Sequence, residues 1–177
     1  MNRRHACLGI LATAAIAAST QRAAHAQSAP PATPPLDLLA DWVGGRWVYV
    51  IEKPDAPRVT LSRVYQWSFD RRVLIGRSFA ERDGKTVQTR EANFFWNADA
   101  RRIEMIDHID GGGYGAGFVE PRDGQIYMEA RIVGNAKHPD WRAWMTATRE
   151  AQTIKIEVRS ADRWSDFGTW PYKRVAA

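Results

Sequence analysis

The chain predicts an all-β, antiparallel, up-and-down architecture, a barrel or a sandwich. Three observations carry this. From Trp47 onward the sequence runs in short stretches of alternating apolar and polar residues, the two-residue period of half-buried strands. Turn pairs, notably Asp83-Gly84 and Asp123-Gly124, separate those stretches at near-regular spacing, as hairpins require. No long 3.6-residue periodicity and no strand–helix alternation appear, which argues against a parallel sheet.

Taken in order, the elements begin with a short apolar segment, Leu36, Leu38, Leu39, Trp42 and Val43, read as an N-terminal helical turn that runs into Gly44-Gly45. A first strand spans 46–53 and ends at Pro54-Asp55-Ala56-Pro57. The second, 59–69, alternates with Tyr65, Trp67 and Phe69 on one face. Asp70-Arg71-Arg72 turns the chain into 73–81, and Asp83-Gly84 leads to 87–96. Strands follow at 101–109, 114–120, 125–133, 141–149 and 153–159, with a last one around 169–175, giving about nine or ten in all.

The residues before position 36 read differently. Arg3-Arg4, the short Ala-rich apolar run 7–18 and the small-x-small triplet Ala24-His25-Ala26 form a cleavable export signal over 1–26. The apolar run is too short to span a bilayer, so no membrane span is expected in the mature protein. Sec and twin-arginine routes both remain open. Residues 27–35, with prolines at 30, 31, 34 and 35, read as an unstructured leader, and 36–177 as the folded domain. The expected location is periplasmic or secreted.

Charge and cysteine content narrow the function classes. Removal of Arg3, Arg4 and Arg22 lowers the net charge from +5 to +2, so the basicity belongs largely to the signal. The remaining basic residues are evenly spread, which speaks against nucleic acid or an anionic membrane as partner. Cys7 is the sole cysteine; the mature chain has neither disulfides nor thiolate chemistry. About 150 residues bury roughly 70% of the unfolded surface, enough for one domain held by its core alone.

Gly45-Arg46-Trp47, read with Leu39 and Trp42 before it and Arg174 near the end, resembles the lipocalin-like (calycin) superfamily. The aromatic second strand, the run Phe94-Phe95-Trp96-Asn97 and the closing Tyr172-Lys173-Arg174 bring it nearest a bacterial exported family of unknown function. The resemblance implies a single antiparallel up-and-down β-barrel with a short N-terminal helical segment. It also implies that Trp47 plugs the closed end with Arg174 over its ring, and that ligands enter from the other end. Independently, Gly44 and Gly45 leave room for a flat tryptophan ring.

Candidate chemistry is sparse. If the more apolar faces of 73–81 and 101–109 point inward, Arg77 and Asp107 enter the interior. Buried charges demand partners, so an Arg77–Asp107 pair with Tyr65 would form a polar anchor inside an apolar cavity. The alternative places one or both at a barrel rim. Trp67, Phe94, Met105, Met128 and Met145 are the expected cavity lining. Gly111-Gly112-Gly113 lacks the following Lys-Ser/Thr and helix of a phosphate loop. Instead, Gly113, Gly115 and Gly117 share a strand face, inward or outward. His108 and Asp110 are too few ligands for a metal site, and neither haem nor any other cofactor is expected. No nucleophile elbow supports Ser-His-Asp catalysis; Asp107 is the sole candidate acid or base.

Three functions follow from this reading. The first is non-catalytic binding of a small apolar or amphipathic molecule in the barrel. The second is an isomerase or hydrolase using Asp107. The third is a filled barrel acting through its surface as an envelope interaction module. The oligomeric state is not legible in the sequence.

Overall fold

Ten antiparallel strands close into a barrel in which every strand pairs with its sequence neighbours and the last returns to the first. The computed structural model describes residues 35–176. The expected signal, 1–26, and all of the expected leader except Pro35 lie outside the described residues. The strands are β1 (Arg46–Lys53), β2 (Ala56–Ser68), β3 (Val73–Arg82), β4 (Lys85–Asn97), β5 (Arg102–Ile109), β6 (Tyr114–Arg122), β7 (Gln125–Val133), β8 (Trp141–Ala147), β9 (Ala151–Ser160) and β10 (Arg163–Val175).

Local chemistry explains the hairpins. Asp83-Gly84 and Asp123-Gly124 each adopt two consecutive positive φ angles, the type I′ geometry that matches strand twist. Two boundaries depart from the sequence expectation. Ala56 and Pro57 belong to β2 rather than to the preceding turn, and β10 begins at Arg163. The stretch Ser165-Asp166-Phe167-Gly168 is therefore strand with an irregularity in its register between Asp166 and Gly168. The extra residue leaves Phe167 exposed.

The helical segment is 3₁₀, Pro35–Trp42. Leu36, Leu39 and Trp42 are fully buried, and their spacing of three aligns them on one face of a three-residue-per-turn helix. That face seals one end of the barrel. The Trp42 ring packs on Tyr65 and Phe94 at 5.2 and 5.5 Å between centroids, and its carbonyl accepts a 2.8 Å hydrogen bond from Trp47 Nε1. Trp47 is wholly buried. Arg174, its cross-strand partner, lies over the ring at 4.4 Å. Gly45 permits this: with φ +82°, a Cβ there would sit 3.0 Å from Arg174 Cγ. Trp47, Arg174 and the helical segment together close this end of the barrel.

Strand register fixes which residues face inward, because cross-strand partners share a face. Tyr65 pairs with Gly76, Gly76 with Ala92 and Ala92 with Asp107. This chain of partners puts Leu74, Gly76, Ser78 and Ala80 of β3 inside. It corrects the expected orientation of Arg77, which faces outward and pairs with Glu91 (Nε–Oε2 2.7 Å). The physical reason is the Tyr65 ring: a Cβ at position 76 would lie 2.8 Å from it, so beyond the buried Leu74 the inner face of β3 is small rather than apolar.

Gly115 and Gly117 face inward by the same criterion. Gly117 does not enlarge the interior. A Cβ there would lie 1.9 Å from the Glu129 carbonyl oxygen, so the glycine serves a close approach of the β7 backbone. Among the described residues, no helix is long and apolar enough to cross a membrane.

Candidate functional site

Between the 3₁₀ plug and the opposite end, the barrel encloses a cavity of about 50 Å³. Its lining is divided along the barrel axis. Phe94, Met105, Met128, Met145 and Ile154 come from positions two or three residues from the closed-end termini of their strands. Arg63, Ser78, Arg90, Asp107 and Trp141 come from positions five to seven residues away. A mainly apolar base, joined by Tyr65, is thus topped by a collar in which the charged residues stand with Ala92 and Ile156. Above it, a vestibule of about 170 Å³ shares Arg63, Ser78, Arg90 and Ile156 with the cavity and is flanked by Phe167, Trp170 and Tyr172. The mouth therefore lies opposite Trp47.

Of the expected site residues, Tyr65, Phe94, Met105, Asp107, Met128 and Met145 do line the cavity. Trp67 does not. It is partly buried near the closed end, with the Arg71 guanidinium 5.0 Å above its ring and Arg71 tied to Asp37 of the 3₁₀ segment at 2.8 Å. Arg77 lies on the outer face, as described above. The cation expected beside Asp107 is instead Arg90, whose Nη1 donates to Asp107 Oδ2 at 2.9 Å.

The collar's electrostatics are unusual. The Asp107 side chain is 3% exposed, and burial pushes its carboxyl above the usual carboxylate range, although the Arg90 and Arg63 charges pull against that. The ion pair and the burial have opposite effects here, and burial prevails because Arg90 itself is a third exposed and its charge is screened. Burial likewise raises the Tyr65 hydroxyl, opposed chiefly by Arg63. Arg63 lies over the Tyr172 ring at 4.9 Å and makes no ion pair among the described residues.

Two polar atoms in the cavity wall are shielded from solvent and have no hydrogen-bond partner: Arg63 Nε and Trp141 Nε1. Both are donors. Such orphans are rare in folded interiors. Sequence inspection overlooked Arg63 and Arg90, although a signal was present. Arg63 stands two residues before Tyr65 on the aromatic face of β2, and Arg90 alternates with Ala92 and Phe94. Among the described residues, no group of three His, Cys, Asp or Glu side chains is placed to hold a metal ion.

No protein-family model and no curated protein matches the chain. Among solved structures it is similar to Rv2717c from M. tuberculosis, at 12% identity and a TM-score of 0.52, over 81% of this chain and 98% of that one. At that identity the likeness speaks to the barrel fold alone.

Proposed function

We propose that the protein is a non-catalytic binder of a small amphipathic molecule, held in the barrel with its apolar part on the methionine-rich base and its polar end in the collar. The observation that carries this is the axial segregation of the cavity wall, apolar below and polar toward the mouth, the usual pattern of ligand pockets. A barrel serving only as a surface module has no need of buried, unpartnered donors in its interior. The export signal read from residues 1–26 supports a periplasmic or extracellular setting.

The enzyme reading has less support. Asp107, the candidate general base, is engaged by Arg90 at 2.9 Å.

The methionines give a direct test. The chain has four, and all except Met1 line the cavity. Carbon-13 methyl-methionine spectra titrated with 1-hexanol should show saturable shifts of Met105, Met128 and Met145 together. If these signals stay unmoved up to the solubility of the alcohol, the binding reading fails.

A further inference from the structure

We infer that the polar end of the ligand is an anion, of the carboxylate class, seated on Arg63 and Trp141 Nε1 at the collar of the cavity. The inference rests on the cavity-binding reading and adds the charge of the ligand to it.

Three independent features of the wall point the same way. The lining includes two arginines, Arg63 and Arg90, and one carboxyl, Asp107, and Asp107 is matched to Arg90 at 2.9 Å. Arg63 therefore remains as one positive charge in excess. Its cation–π contact with Tyr172 offsets part of its desolvation but accepts none of its hydrogen bonds. Second, the unpartnered buried atoms of the wall, Arg63 Nε and Trp141 Nε1, are both donors. A ligand that satisfies them must present acceptors, and a carboxylate presents only acceptors. Third, Arg63 and Trp141 stand on β2 and β8, on opposite arcs of the barrel, so a group held between them is centred over the apolar base rather than pressed to one wall.

A neutral alcohol or amide fits this arrangement less well. It leaves the charge of Arg63 unmatched in a dry site, where removing one partner of a charged hydrogen bond is expensive. A bare inorganic anion satisfies the donors but leaves the base of Phe94, Met105, Met128 and Met145 without contact. The class that uses the whole wall is a carboxylate on a compact apolar body.

The test compares hexanoate, 1-hexanol, hexanamide and acetate on the same methionine methyl signals at neutral pH. Hexanoate should half-saturate at a concentration at least tenfold below those of both neutral analogues and of acetate. In Arg63→Leu the preference for hexanoate over 1-hexanol should collapse to within about twofold. Trp141→Phe, which keeps an aromatic ring but removes the donor, should weaken hexanoate several-fold more than it weakens 1-hexanol. This second variant keeps the test informative should Arg63→Leu not fold. Equal binding of hexanoate and 1-hexanol overturns the anionic class, as does a preference that survives both substitutions. Acetate matching hexanoate overturns the amphipathic carboxylate in favour of a free anion. In each of these cases 1-hexanol still moves the methionines; failure of every probe, by contrast, strikes at the cavity-binding reading itself.

Discussion

Arg174 and Trp47 are cross-strand partners at the closing seam, with the guanidinium carbon 4.4 Å from the indole centroid. The same arginine reaches the Asp41 carbonyl through Nη2, which ties the last strand to the plug as well as to the first strand. Arg174→Ala should therefore cost about 0.5–2 kcal/mol, and Trp47→Ala about 3–5 kcal/mol as a buried ring is lost. Urea denaturation measures both. An Arg174→Ala midpoint equal to wild type removes the pairing from the list of stabilising contacts.

Gly117→Ala should be far more damaging than its small volume suggests. The added methyl would meet the Glu129 carbonyl oxygen at 1.9 Å, and backbone cannot yield as a flexible side chain can. Gly84→Ala makes a useful control, since nothing lies within 4 Å of its Cβ position and only the positive φ is strained. Thermal melts of the two variants should differ widely, with Gly117→Ala the lower. Equal melting temperatures mean that β6 and β7 part easily at this point.

Asp107 should give the barrel a distinctive pH response. Its folded carboxyl titrates above the unfolded value because burial outweighs Arg90 and Arg63. The folded state therefore binds the proton more tightly. The associated stability is fully present below about pH 4 and is lost as the pH rises through the folded value. The melting temperature of wild type minus that of Asp107→Asn should fall as pH increases from about 4. A difference that grows with pH would mean that the Arg90 ion pair dominates.

The outward Arg77–Glu91 pair is about one-third exposed on both sides, and such pairs contribute about 0–1 kcal/mol. Arg77→Ala should change stability within that range and leave hexanoate binding at the wild-type level. A loss of binding comparable with that of Arg63→Leu would place position 77 inside after all.

What the sequence could and could not convey follows from these residues. The hairpin rhythm was readable because Asp-Gly pairs force φ angles that few other sequences adopt, and the inward face of β5 was readable because Ile103, Met105 and Ile109 surround Asp107. The face of β3 was not, because, Leu74 apart, its inner residues are small, with Gly76 set against the rings of Tyr65 and Phe94. Val73, Ile75 and Phe79 therefore made the outer face look like the core. The error over β3 carried Arg77 into the site and hid Arg63, although Arg63 shares the aromatic face of β2. Alternation along one strand does not reveal how much space its neighbours have already filled.

The closing seam has a final consequence. β1 meets β10 only through Arg46, Val48 and the buried Trp47, set against Val175, Lys173 and Arg174, while β2 and β3 are paired continuously from Val59–Arg82 to Ser68–Val73. Beyond Val48, toward the mouth, the two strands touch through side chains, Tyr49 against Tyr172 at 6.0 Å. The wall is thus a belt buckled at the floor and left unfastened at the rim. Past Val48 the seam is held by a contact between two tyrosine rings instead of by paired backbone. Hydrogen exchange should find the Tyr49–Ile51 amides that face this gap faster than those of the β2–β3 ladder, and slower again once hexanoate is bound.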